Sequence, residues 1–80
     1  MPTAERTVGV LTGEWQSTGQ IARQLIDRSL PHRIRADHHA VVVEQLKDAE
    51  DRGEAESRYV RLEGGQGRRE WRLASATDGR

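Results

Sequence analysis

The sequence contains no cysteine and no phenylalanine among its 80 residues. Without cysteine, neither a disulfide framework nor a thiolate zinc site can support the fold, so stability must come from packing and helix capping. Without phenylalanine, the large apolar anchors are Trp15, Tyr59 and Trp71, together with Leu, Ile and Val. A chain of this length can bury one small core. The sequence therefore predicts a single domain.

Long hydrophobic runs and a net charge are also absent. No stretch approaches the roughly 20 apolar residues of a membrane span, and no basic segment leads into an apolar run at the N-terminus. We therefore expect a soluble, cytoplasmic protein without a membrane partner. The 13 basic residues balance the 13 acidic ones, so the overall charge does not indicate a nucleic-acid partner. The charges are segregated, however: acids dominate residues 37–57, and arginines dominate residues 58–73.

Two short segments in the first third of the chain have helical patterns. A first helix is predicted between residues 3 and 11, where the apolar side chains recur at helical spacing: Ala4, Val8 and Leu11. Ser17 is followed three residues later by Gln20, a pair that can form a capping box at a helix start. We therefore expect a second helix that begins here and ends near Arg28 or Ser29.

A longer helix is predicted in the middle of the chain. Asp37 can act as its N-cap, and Gly53 is suited to the left-handed residue that follows a helix ending at about Arg52. Its core stripe is predicted to comprise three residues spaced four and three apart: Val42, Leu46 and Ala49.

The last part of the chain changes from helical to alternating periodicity and predicts a β-hairpin. With Gln66 and Gly67 as a two-residue turn, the register would pair Leu62 with Trp71 and Val60 with Leu73. All four apolar side chains would then share one face. Three helices followed by a hairpin constitute an α+β fold.

This order of elements resembles the winged helix-turn-helix family. The segment 18–25, Thr-Gly-Gln-Ile-Ala-Arg-Gln-Leu, is similar to the family's first motif helix, and the hairpin is similar to its wing. The resemblance covers residues 3–74. It implies a winged helix-turn-helix domain over residues 1–74, with three helices followed by a two-stranded wing, and we expect residues 75–80 to be a disordered tail.

The resemblance implies that the chain binds double-stranded DNA, with the N-terminal half of the third helix in the major groove. The helix residues expected to contact DNA are His38, His39, Ala40, Val43, Glu44 and Lys47. Arg68 and Arg69 follow the Gly-rich turn and would contact the backbone or the minor groove. Arg33 and Arg35, in the connector before the third helix, would add phosphate contacts.

The sequence contains no arrangement typical of catalysis. It lacks a nucleophile beside an oriented base and a phosphate-cradling glycine loop that opens a helix. The three histidines have no acid or cysteine at a metal-ligand spacing. We therefore expect a transcription regulator rather than an enzyme, without metal, cofactor or small-molecule substrate, and with a homodimer as one option. The alternative is a winged helix that docks its acidic third helix on a protein partner.

Overall fold

The computed structural model describes residues 4–26 and 35–74. Within these residues the chain forms three α-helices and a three-stranded antiparallel sheet, which confirms the predicted α+β class. The elements are α1 (Ala4–Gly9), β1 (Gln16–Ser17), α2 (Thr18–Leu25), α3 (Arg35–Asp51), β2 (Ala55–Arg61) and β3 (Gly67–Leu73). The predicted tail lies outside the described residues. In the described part of the chain, no helix has the length and apolar character needed to cross a membrane.

The start of α2 has the predicted capping box. The Ser17 hydroxyl accepts from the Gln20 backbone N–H at 3.1 Å, and the Gln20 side chain accepts from the Ser17 N–H at 2.7 Å. These two bonds satisfy amides that a helix start leaves unpaired. The prediction that α2 continues to Arg28 is wrong, because Ile26 has extended backbone (φ −76°, ψ 141°) and ends the helix at Leu25.

The long helix α3 begins at Arg35, three residues before the first helical position that an N-cap at Asp37 would give. Asp37 lies inside its first turn and not at the N-cap, so its carboxylate complements the positive end of the helix dipole instead of capping an amide. The end of the helix agrees with the prediction, since Gly53 adopts a positive φ of 79°. The predicted core stripe of Val42, Leu46 and Ala49 is fully buried.

The sheet has the order β1-β3-β2, so β3 is its central strand. The third strand, β1, was not predicted from the sequence, because two residues are too short to show alternation. Its Gln16 pairs with Trp71 and its Ser17 pairs with Glu70. This pairing holds the segment before α2 against the middle of β3.

The hairpin is present, but its predicted turn and register are wrong. Gly64 and Gly65 both adopt positive φ, and they form a longer turn that begins before Gln66. As a result Trp71 pairs with Ser57, not with Leu62, and Leu73 pairs with Ala55, not with Val60. The four apolar side chains expected on one face therefore do not cluster there.

One core joins the three helices to the sheet. Its buried residues are Leu11, Ile21, Ala22, Leu25, Val42, Leu46, Ala49, Ala55 and Trp71. Trp71 is the largest of them, is fully buried, and donates from its indole nitrogen to Thr18 Oγ1 at 2.8 Å. Buried Thr7 hydrogen-bonds Gln45, which ties α1 to α3.

Candidate nucleic-acid interface

The side of α3 that turns away from the core has two edges with different chemistry. At 3.6 residues per turn, side chains spaced three or four apart share an edge. We call one the hairpin-facing edge, comprising His39, Val43, Lys47 and Glu50. We call the other the acidic edge, comprising Asp37, Glu44, Asp48 and Asp51, all of which are exposed. Ala40 is exposed on the crest between the two edges.

A chain of hydrogen bonds connects α3 to the hairpin. Ser57 Oγ donates to Glu50 Oε2 at 2.6 Å, and Arg69 Nη1 donates to Ser57 Oγ at 3.0 Å. Because Lys47 and Val43 share the edge of Glu50, this chain fixes which edge of α3 is next to the hairpin. The hairpin therefore contacts α3 at the last turn of the helix, on the edge that also carries Lys47 and Val43.

The acidic edge has its own partners at the end of α3. Arg52 pairs with Asp48 one turn earlier and with Glu54 at 2.9 Å. A shallow groove of about 350 Å³ runs along this edge, lined by Val41, Glu44, Gln45 and Asp48. Four carboxylates on one edge repel phosphate, so this edge is unsuited to the DNA backbone.

The hairpin also has two faces, because successive side chains of a strand point to opposite sides. The inner face continues the core and carries Ala55, Ser57, Tyr59 and Arg61 of β2 with Gly67, Arg69, Trp71 and Leu73 of β3. The outer face carries Glu56, Arg58 and Val60 of β2 with Arg68, Glu70 and Arg72 of β3. Both carboxylates of these two strands are on the outer face.

Glu70 is the centre of the outer face. Its side chain is buried, and each carboxylate oxygen is bound by one guanidinium: Oε1 by Arg58 at 2.7 and 2.8 Å, and Oε2 by Arg68 at 2.9 and 3.0 Å. The hydrogen bonds from Arg58, followed by those from Arg68, hold the pKa of Glu70 below its ordinary value of 4.5. Both arginines are thereby committed to a carboxylate of their own chain.

Trp15 extends this outer network. The guanidinium of Arg58 lies 4.4 Å and that of Arg72 lies 4.5 Å from the centre of the Trp15 ring, both within cation–π range. Arg72 also donates to Glu56 at 2.9 Å. We expected Trp15 to be a core residue; instead it is half-buried on the outer face, where guanidinium groups cover it.

His38 is buried, not exposed as the resemblance implied, so its predicted place on the DNA-facing surface is wrong. It is 7 % exposed, and its Nε2 lies 2.9 Å from the Ala22 carbonyl oxygen in α2. The position four residues before Val42 and eight before Leu46 puts it on the core stripe. That spacing is visible in the sequence and could have identified it.

The other predicted residues are distributed over several surfaces. His39 and Lys47 are exposed and Val43 is half-buried, all on the hairpin-facing edge. Arg69 is linked to this edge only at Glu50, through Ser57, among the contacts of the described residues. Glu44 lies on the acidic edge, and Arg68 lies on the outer face of the hairpin. Arg33 lies outside the described residues, and only the backbone of Arg35 is described, in the first turn of α3.

Two residues near this site were not predicted to belong to it: Tyr59 was expected to be an apolar anchor, which is wrong, and Arg61 was given no role. Tyr59 and Arg61 are exposed on the inner face, on the same side as Arg69. Alternation along β2 would have placed them there once the register was known. Within the described ranges, Lys47 and Arg61 make no ion pair, and no three His, Cys, Asp or Glu side chains are grouped to hold a metal ion.

Comparison of the chain with protein-family models, with curated proteins and with solved structures finds no match.

Proposed function

We propose that this chain is a winged helix-turn-helix protein that binds double-stranded DNA and regulates transcription by occupying its site. The order of helices and strands supports the fold, with β2 and β3 as the wing. The contact between His38 and the Ala22 carbonyl supports it as well, because it holds α2 against the N-terminal half of α3. In such proteins α3 enters the major groove and the wing lies along the neighbouring backbone.

The observation that carries the proposal is the hydrogen-bond chain from Glu50 through Ser57 to Arg69. It brings the wing beside the edge of α3 that carries Lys47 and Val43. One duplex can then meet both elements at once. Lys47 can reach a phosphate or a guanine, and Val43 can contact a thymine methyl group.

The distribution of charge agrees with this orientation. Lys47, Arg61 and Arg69 lie on the proposed side, whereas the acidic edge of α3 points away from the wing. The zero net charge of the chain removes long-range attraction to phosphate. We therefore expect modest affinity that decreases steeply with salt.

The test is fluorescence-anisotropy binding of a random-sequence duplex pool across a salt series. Lys47→Ala should weaken binding about tenfold and reduce the salt slope by about one, because one cation on the DNA-facing edge is lost. Arg52→Ala is the matched control: it also removes one positive charge, but from the residue that directly follows α3, beside the acidic edge. It should leave affinity close to wild type.

Absence of duplex binding by the wild type at low salt would reject the proposal. Equal losses for Lys47→Ala and Arg52→Ala would reject the assignment of the hairpin-facing edge, because they would show that only total charge matters.

The groove of the acidic edge favours a second candidate, a module that docks on a basic protein surface. Val41 and Gln45 are half-buried beside the exposed Glu44 and Asp48, so the groove combines apolar and acidic contacts. Charge reversal of Glu44 and Asp51 should then abolish capture of the partner. The same reversal should not weaken duplex binding if DNA is the partner.

A further inference from the structure

Tyr59 is the most exposed of the large hydrophobic side chains in the described residues, with 67 % of its surface accessible. Its ring lies on the backbone of Gly67 in the facing strand, where a Cβ atom would overlap the ring. One side of the ring is therefore supported by the strand, and the other side is open to solvent. A supported aromatic ring with one free side is suited to stacking on a flat group.

The strands around Tyr59 contribute basic side chains, and the Glu50 carboxylate of α3 reaches their inner face at Ser57, where it accepts a hydrogen bond. Arg61 and Arg69 are exposed on the same inner face, and neither β2 nor β3 contributes a carboxylate to that face. Arg69 also lies 5.7 Å from the centre of the Trp71 ring, so its guanidinium is held near the strand. A flat group that stacks on Tyr59 would have cations on both sides, which suits an anion.

We propose that Tyr59 is a stacking site for an unpaired nucleobase, with Arg61 and Arg69 binding the adjoining phosphates. Nucleic acid combines a flat base with flanking negative charge, and base–aromatic stacking is independent of sequence. A fully paired duplex keeps the faces of its bases inside the stack, so it cannot occupy this site. The inference rests on the proposed function and deepens it: the wing distinguishes distorted or opened DNA from regular duplex.

The experiment compares two labelled probes by fluorescence anisotropy. One is a fully paired duplex, and the other is the same duplex with a short central bubble of unpaired thymines, so that the ends are identical. The wild type should bind the bubble about tenfold more tightly, the contribution of stacking one base on an aromatic ring. Tyr59→Leu should bind both probes equally, and Tyr59→Phe should retain the preference because it retains the ring.

Gly67→Ala provides a second variant that keeps Tyr59 but displaces its ring. The tyrosine can rotate into solvent, so we expect the protein to fold and the bubble preference to decrease. Lys47→Ala is the control, since it should weaken binding of both probes and leave their ratio unchanged. Circular dichroism of each variant checks that the fold is intact.

Equal binding of the two probes by the wild type would overturn this inference and leave the proposed duplex binding standing. A preference that persists in Tyr59→Leu would overturn the assignment of the site to Tyr59. Binding of the bubble alone, lost in Tyr59→Leu, would support the stacking site and reject duplex as the partner. Binding of neither probe would overturn both proposals.

Discussion

The two faces of the β2–β3 hairpin contain the same basic residue type and use it differently. On the outer face, Arg58 and Arg68 bind the buried Glu70, and Arg72 binds Glu56. On the inner face, Arg69 bonds to an uncharged hydroxyl. Since neighbours along a strand point to opposite faces, adjacent arginines can have opposite roles. The number of arginines in a hairpin therefore does not identify an interface. What matters is which face of the sheet each arginine occupies, and this alternates from one residue to the next.

The largest effect is expected on stability, from substitution of the buried tryptophan of the inner face. Trp71→Ala removes the largest fully buried side chain and its hydrogen bond to Thr18. It should lower the free energy of unfolding by about 3–5 kcal/mol, which is enough to unfold a chain of this size. Urea denaturation followed by circular dichroism measures the loss. Leu62→Ala, at the partly exposed turn, is the control and should cost less than about 1 kcal/mol. Similar losses would show that Trp71 does not anchor the sheet.

The next largest effect is expected on duplex affinity and distinguishes Arg69 from the adjacent Arg68. Arg69→Ala should weaken duplex binding about tenfold, because a charge-assisted phosphate contact is lost on the face next to α3. Arg68→Ala should weaken it less, since this guanidinium is bound to Glu70 on the outer face. Anisotropy titrations with the same duplex measure both variants. A greater loss for Arg68→Ala would mean that the outer face contacts DNA, and the inner-face site would then be rejected.

Much of the fold could be predicted because its signals are local. The capping box at Ser17 and the terminating Gly53 depend on residues within one helical turn, and the structure contains both. The core stripe of α3 depends on spacing alone. The hairpin register depends on which residues of a Gly-rich segment adopt positive φ. The sequence offers Gly64 and Gly65 as well as Gly67, and composition does not decide among them.

The candidate site was predictable in part for the same reason. Lys47 and His39 lie on the outer side of α3 by periodicity, whereas His38 belongs to the core stripe, where its ring bonds to α2. Arg68 can pair with Glu70 because residues two apart on a strand share a face. Which face they share, and whether Tyr59 is exposed, depends on the register of the hairpin. The contact between Glu50 and Ser57 joins two elements across a helix end, and no sequence period encodes it.

A smaller effect concerns the outer face and depends on pH. The pKa of Glu70 is lowered in the folded state, first by the hydrogen bonds of Arg58, so its ionised form stabilises the fold. This stability is fully present above the unfolded pKa of about 4.5 and is lost as pH decreases through the lower folded value. Glu70→Gln should therefore have a lower Tm than wild type at neutral pH. The difference should shrink below pH 4.5, as thermal unfolding across a pH series would show. A difference that is constant with pH would contradict the role of the ionised carboxylate.

The smallest effect tests the connection between α3 and the inner face. Ser57→Ala removes the hydroxyl that bonds to both Glu50 and Arg69, and it should cost about 0.5–1.5 kcal/mol of stability. Glu50→Gln should cost less, because an amide oxygen can still accept from the hydroxyl. If Glu50, Ser57 and Arg69 form one hydrogen-bond chain, the variant that combines Glu50→Gln with Ser57→Ala should lose less stability than the two single variants lose together. A double-mutant cycle measures this difference. Strict additivity would mean that Glu50 and Ser57 do not interact, and the position of the hairpin beside Lys47 would then need another cause.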